Sequence, residues 1–166
     1  MRRLKIAVVG GGGFRTPMVH AGILSRTDRL PVGELCLQDL DACRLRRVAA
    51  VLRGQAEEAR RSVPLRTTTS LAEALAGADL VLCAIRVGGA RARAADERFA
   101  LQLGLLGQET VGAGGILFAL RTIPVMGGIA AEIRRRAPNA WVLNFTNPAG
   151  IVTEALIRVL GDRVIG

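Results

Sequence analysis

The stretch Leu4-Lys5-Ile6-Ala7-Val8-Val9-Gly10-Gly11-Gly12-Gly13-Phe14-Arg15-Thr16-Pro17 decides the architecture. A short β-branched, apolar run stops at four glycines, as a buried strand does when it enters a tight turn. Pro17 suits the start of a helix, where its missing N–H forfeits no hydrogen bond. Strand, glycine turn and helix in this order place the positive helix end over the turn, and glycines let the backbone approach a phosphate there.

The alternation continues along the chain. Residues 34–38 predict a second strand, 39–62 a long helix and 65–68 a third strand. Ser70-Leu71-Ala72-Glu73 has the spacing of a capping box. In it the Ser70 hydroxyl accepts from the Glu73 N–H, and the Glu73 carboxylate accepts from the Ser70 N–H. Residues 79–85 are nearly all apolar, as a central parallel strand should be. A helix is predicted over 91–104, then a glycine loop over 112–115 before a helix that Pro124 must start late or kink. Residues 140–144 predict a fifth strand, 148–160 a helix and 163–165 the opening of a sixth strand. The fold class is therefore α/β: a doubly wound, mostly parallel sheet of the Rossmann type, three-layer α/β/α, as one domain over 1–166.

Composition narrows the function. With 166 residues, 50% of them hydrophobic, the chain has material for one packed domain and too little for two. The net charge of +9 is carried almost wholly by arginine, since Lys5 is the only lysine. The arginines fall in helical clusters (Arg44, Arg46, Arg47; Arg60, Arg61; Arg134, Arg135, Arg136) with few aromatics between them, so they predict solvated faces and no nucleic-acid partner. No unbroken run of 18 apolar residues occurs, and Met1-Arg2-Arg3 leads into a strand with no small-residue cleavage site; the expectation is a cytoplasmic protein with no membrane partner. Cys36, Cys43 and Cys83 lack CxxC spacing and predict reduced, buried thiols. One His and no Tyr mean that a mechanism needing a Tyr base or two imidazoles on one metal cannot be complete within these residues.

The glycine turn does not fully meet GxGxxG: counted from Gly10 the third glycine position is Arg15, and counted from Gly11 it is Thr16. Asp39 strengthens the reading. It ends the second strand, where an acidic side chain hydrogen-bonds the adenosine ribose hydroxyls, and with Asp41 beside it would repel the extra phosphate of NADP. NAD is the cofactor this predicts, on Gly10, Gly11, Gly12, Gly13, Phe14, Arg15 and Asp39. The alternative is a plain glycine turn with Asp39 capping the next helix, and Arg15 is either a pyrophosphate contact or solvated.

Three further segments at strand ends are dense in polar residues. These are Arg86-Val87-Gly88-Gly89 with Arg91, Arg93, Asp96 and Glu97; Gly107-Gln108-Glu109-Thr110 before Gly112-Ala113-Gly114-Gly115; and Asn144-Phe145-Thr146-Asn147-Pro148. Guanidinium groups suit a phosphorylated ligand because they bind oxyanions bidentately. With RVGG, R-x-x-DE, GQET, ALRTIP and NFTNPAGIVTEA, and with the GGGGFRTP turn and Leu-Gln-Asp strand end, the whole chain resembles glycoside hydrolase family 4, the NAD- and metal-dependent 6-phospho-glycosidases. The last phrase looks most like the 6-phospho-β-glucosidase branch.

The resemblance implies glycosidic cleavage by redox-assisted elimination, an exception to two-carboxylate hydrolysis. Hydride leaves C3 for NAD+, a base takes the C2 proton, the aglycone leaves C1, water adds and the hydride returns. A divalent metal, Mn2+ as a rule, polarises the C3 ketone. Carried over singly, Arg93 and Asn147 match substrate-contacting positions, and Glu109 matches a position thought to raise the basicity of the catalytic Tyr. Read from the residues alone, Arg93 can equally be solvated, Asn147 can cap the helix after it, and Glu109 can be a loop carboxylate or a partner of Arg121. Arg86, Asn144 and Thr110 are at least as well explained as structural. His20 lies in the wrong place for the family's ligand and reads as a core or solvent histidine.

The resemblance also implies that the family's metal-ligand Cys, its His ligand and its Tyr base lie beyond Gly166, in a second domain, so that residues 1–166 alone are inactive. The partner expected is a 6-phosphorylated glycoside, and the complete enzyme is expected to be a homo-oligomer. Two other classes stay open at this point. An NAD-dependent 2-hydroxyacid dehydrogenase of the malate or lactate type shares the cofactor turn but leaves GQET and TNPAG unexplained. A non-catalytic nucleotide-binding module fits the charge and the missing groups.

Overall fold

The computed structural model describes residues 2–166, so the Met1 end of the opening Met1-Arg2-Arg3 lies outside the described residues. Six strands form one sheet: β1 (Leu4–Val9), β2 (Val32–Gln38), β3 (Leu65–Thr68), β4 (Leu80–Cys83), β5 (Trp141–Asn144) and β6 (Val164–Ile165). Their order is β3-β2-β1-β4-β5-β6 and every pairing is parallel. The helices are α1 (Thr16–Leu24), α2 (Ala42–Ala59), α3 (Leu71–Leu75), α4 (Gly89–Gln102), α5 (Gly112–Arg136) and α6 (Ala149–Leu160). The chain leaves β1 for one edge and returns at β4 to build the other half, so a crevice opens between the carboxyl ends of β1 and β4, where such sheets bind ligands.

The period of two along the strands feeds two cores. Ala7 and Val9 of β1, with Val81 and Cys83 of β4, face Leu75, Met126, Ile129, Ile133, Val152 and Leu156 of α3, α5 and α6. Ile6 and Val8, with Leu82, face Ile23, Leu24, Leu45 and Leu52 of α1 and α2. This gives the three-layer α/β/α arrangement. Burial of each such Leu or Ile side chain contributes about 1.5–3 kcal/mol.

Several local expectations are corrected. The glycine loop predicted over 112–115 is the first turn of α5. Gly114 and Gly115 sit there because a Cβ on either would meet the Gln108 carbonyl or the Thr110 backbone, so their smallness serves packing and not flexibility. Pro124 lies inside α5, which starts at Gly112, so of the two expectations for it the late start is the one corrected. α5 is also long and apolar enough to cross a bilayer by composition, which no unbroken apolar run had signalled, yet its Met126, Ile129, Ala130 and Ile133 face is core. The capping box is half formed. Ser70 Oγ accepts from the Glu73 N–H, but the Ser70 N–H goes to Thr68 Oγ1, and Glu73 is drawn to Thr68 and Arg66.

Arg44, Arg46 and Arg47 and the Arg134–Arg136 cluster lie on outer helix faces, as expected, whereas Arg60 and Arg61 are exposed just past the end of α2, where Arg61 donates to the Leu24 carbonyl. His20 is buried with Nδ1 2.9 Å from Gln55 Oε1, a core histidine. Cys36 and Cys83 are buried, and burial pushes the Cys83 thiol up to about 12. Cys43 is exposed, against expectation, because it lies on the outer side of the first turn of α2. A thiol reagent at about pH 8 is therefore expected to modify Cys43 alone in the native protein and all three cysteines after unfolding, as mass spectrometry would count.

Candidate functional site

The glycine turn is built against its neighbours. Gly10 has φ +87°, and a Cβ there would stand 2.5 Å from the Ala84 carbonyl oxygen after β4. A Cβ on Gly11 would meet Leu37, and one on Gly12 would meet Asp39 and Arg44. The Gly10 and Gly11 N–H groups both donate to the Gln38 carbonyl, at 2.9 and 2.7 Å, and Gly13 N–H donates to the Gly10 carbonyl. Among the described residues no acceptor takes the Phe14 and Arg15 N–H groups, just before α1. Free amides at a helix start, over a turn with no side chains in the way, are the donor set a pyrophosphate needs. Phe14 is 78% exposed, and the Arg15 guanidinium lies over its ring at 5.2 Å.

Asp39 stands at the end of β2. Its Oδ2 accepts from the Gly12 N–H at 3.0 Å and its Oδ1 from the Asp41 N–H at 3.1 Å, so the carboxylate ties the turn to the strand end. The helix cap is Asp41, which accepts from the Cys43 and Arg44 N–H groups at 2.8 and 3.1 Å. The reading of Asp39 as that cap is thus replaced. The Arg44 amide, ahead of the Cys43 amide, holds the Asp41 carboxyl below the ordinary carboxylate range. A depressed pKa means stability present above the ordinary carboxylate pKa and lost as pH falls from there through the lowered, folded-state value.

A groove of about 910 Å³ runs over the carboxyl ends of the strands. Asp39, Leu40, Asp41 and Arg44 form one end, Gly10, Gly13, Phe14 and Arg15 its middle, and Arg86, Val87, Phe118, Phe145 and Asn147 the other. Its volume suits an extended ligand of dinucleotide size.

Beyond β4 the charged residues form two clusters of ion pairs. Glu109 lies between two guanidinium groups: Oε1 is 2.5 Å from Arg86 Nη1, and Oε2 is 3.0 Å from Arg93 Nη1. Arg93 Nε also donates to Glu97 at 2.7 Å, and Glu97, ahead of Glu109, keeps its guanidinium firmly protonated. Arg121 takes a different partner from the one entertained on sequence. It binds Asp96 through both terminal nitrogens, at 3.1 and 2.5 Å, and its Nε donates to the Val87 carbonyl at 3.2 Å. This fork joins α4, α5 and the β4–α4 turn. Arg93 and Glu109 are therefore brought together, but neither lines the groove; Arg86 connects them to it.

The segment after β5 divides its work. Asn144 is buried, donates to the Thr146 and Ala149 carbonyls and to Thr153 Oγ1, and accepts from the Thr146 N–H. Thr146, fully buried, accepts from the Ile85 N–H. Both are structural latches. Pro148, after a cis Asn147–Pro148 bond, holds the N-cap position of α6 with no side-chain cap. Asn147 is thus no cap and stands on the groove wall with its amide free of partners among the described residues.

Sequence reasoning gave Arg86 a structural reading at least as strong as a functional one and did not single out Leu40; both line the groove. The available signal for Arg86 was its place directly after the apolar 79–85 run, at the carboxyl edge beside the glycine turn. Nothing local marks Leu40 as a wall.

Comparison with known proteins adds three findings. The profile described as "Family 4 glycosyl hydrolase" matches residues 5–166. A probable 6-phospho-beta-glucosidase of Bacillus subtilis (strain 168) is 46% identical over 93% of this chain, and a 6-phospho-beta-glucosidase of Escherichia coli (strain K12) is 44% identical over 99%. The chain spans 36% and 37% of the length of those two curated relatives. The 6-phospho-beta glucosidase of Thermotoga maritima, solved with manganese, NAD+ and glucose-6-phosphate, superposes with TM-score 0.92 at 30% identity, over 99% of this chain and 39% of that one. A lactate dehydrogenase from Eimeria maxima, 18% identical, with TM-score 0.67, shares the fold alone.

Proposed function

The chain belongs to glycosyl hydrolase family 4, and from that premise we propose that residues 1–166 are the NAD-binding domain of a 6-phospho-glycosidase of the 6-phospho-β-glucosidase kind. The observation that carries the proposal is the glycine turn tied to Asp39 at the head of a dinucleotide-sized groove. The free Phe14 and Arg15 amides, with Gly10, Gly11, Gly12 and Gly13 leaving room for them, receive the pyrophosphate. Asp39 takes the adenosine ribose hydroxyls and, with Asp41, disfavours a 2′-phosphate. NAD+, when bound, supplies a reversible hydride acceptor for C3 of the sugar. Asn147 presents its side-chain amide to the sugar hydroxyls from the far wall. Glu109 and Arg93 stand behind that wall, 3.0 Å apart, with Arg93 as a second substrate contact and Glu109 as the carboxylate that supplies negative potential to a neighbouring base.

Manganese belongs to the proposal for the complete enzyme, as do a 6-phosphorylated glycoside substrate, a second domain, a cytoplasmic location, homo-oligomeric assembly, and no nucleic-acid or membrane partner. Among the described residues no three His, Cys, Asp or Glu side chains gather to hold a metal, and no role assigned above depends on one. The β preference rests on the 46% and 44% identical relatives.

Calorimetric titration with NAD tests the reading. Asp39→Asn keeps the shape of the side chain and removes its charge, and is expected to weaken NAD binding about 10-fold, the magnitude of a charge-assisted hydrogen bond. It is also expected to narrow the gap between NAD and NADP. Unchanged affinity for both would show that the ribose is held elsewhere.

A further inference from the structure

Among the groove-lining residues after β4, Arg86 alone carries charge. Its partner is set back: the Glu109 side chain is 12% exposed against 31% for Arg86. Although Arg86 Nη1 and Glu109 Oε1 are 2.5 Å apart, neither atom has an aligned hydrogen-bond partner among the described residues. The contact is Coulombic and poorly aligned. Glu109 Oε2 lies 3.0 Å from Arg93 Nη1, a second ion pair on the same carboxylate. If Arg86 turned away, Glu109 would still have a cation beside it, and the penalty of a stranded buried charge would not arise.

We propose that Glu109 is the internal counter-ion of an oxyanion site headed by Arg86, and that a phosphate-bearing ligand entering the groove takes Arg86 from it. The proposal rests on the reading of the groove as a site for a dinucleotide and a phosphorylated sugar, and adds to it a residue and an exchange. Guanidinium offers five donors in a planar fork, and a phosphate dianion offers more charge and more acceptor oxygens than one carboxylate. The Arg86 guanidinium also lies over the Phe118 ring, 5.8 Å from its centroid. After the exchange Glu109 answers only to Arg93. The carboxylate that the groove ligand needs behind its wall is thereby freed by the arrival of that ligand.

The test is calorimetry on the full chain with inorganic phosphate, with NAD, and with glucose-6-phosphate on NAD-saturated protein. Glu109→Gln removes the competitor and is expected to tighten binding of a phosphate-bearing ligand about five- to tenfold, a modest charge-pair coupling. The double variant Arg86→Ala, Glu109→Gln is expected to lose the gain. Glucose without phosphate is expected to bind the wild type and the Gln variant alike. A gain with glucose-6-phosphate assigns the oxyanion to the sugar, and a gain with NAD alone assigns it to the dinucleotide; either supports the exchange.

Three outcomes overturn it: equal or weaker binding of every phosphate ligand by Glu109→Gln, survival of the gain without Arg86, or an equal gain for unphosphorylated glucose. Glu109→Asp, which withdraws the carboxylate by one methylene, is expected to give part of the gain if the Gln variant melts too low to titrate. Failure of NAD to bind the wild type would refute the cofactor reading instead, and the inorganic phosphate titration would still decide the role of Arg86.

Discussion

Gly10→Val is expected to abolish measurable NAD binding, a loss of more than 100-fold, and to lower the melting temperature by about 5–15 °C. Two effects add. The residue has φ +87°, a conformation that costs a β-branched side chain about 1–3 kcal/mol. Its Cβ would also stand 2.5 Å from the Ala84 carbonyl, an overlap that forces backbone shifts costing about 1–3 kcal/mol. For a domain of this size each kcal/mol is worth about 2–4 °C. The larger effect falls on binding, because the shift moves the Phe14 and Arg15 amides away from their common target. Circular dichroism melting and NAD calorimetry measure the two effects separately. Affinity within twofold of wild type would show that the turn is not the cofactor seat.

Asp96→Ala is expected to destabilise by about 2–4 kcal/mol while leaving NAD affinity within twofold. Asp96 is 10% exposed on its side chain and Arg121 29%, so removal of the carboxylate strands a mostly buried guanidinium. Breaking a fully buried pair costs about 3–5 kcal/mol, and the partial exposure of Arg121 reduces that. The double variant Asp96→Leu, Arg121→Met, which replaces both charges by apolar volume, is expected to recover most of the loss. Urea unfolding of the two variants is the measurement. A single variant as stable as wild type would show that water already solvates Arg121, and a double variant no better than the single would show that the fork to the Val87 carbonyl matters more than the charge.

What the sequence revealed and what it hid divide along a physical line. Leu4 to Pro17 could be read at once because strand, turn and helix start each follow from near neighbours. The same holds for the apolar run of β4 and for Asp39 at the end of β2. Gly112–Gly115 misled because their reason is distant in space: Gly114 and Gly115 lie in a helix, against the backbone of residues 108 and 110. Glu73 misled for a like reason, since Arg66 and Thr68 of the neighbouring strand outbid the Ser70 amide. At the site, Asn147 was singled out as a substrate contact with a capping alternative; the start of α6 removes the cap, and the side chain stands on the groove wall. Arg93 and Glu109 were each singled out, yet their direct meeting, and the link of Glu109 through Arg86 to the groove, depends on how α4 and the 107–110 segment fold back over the end of β4. No local pattern encodes that.

The turn at Gly10–Gly13 is a joint more than a loop. It hangs from the end of β1, a strand that supplies side chains to both cores, and it is pinned to the β2 end through the Gln38 carbonyl and Asp39. To slacken it, both helical layers would have to loosen together. The entropy of aiming those amides is therefore lost once, during folding, and not again each time a ligand arrives; the seat is pre-organised, and the binding free energy is left for the ligand's reacting end.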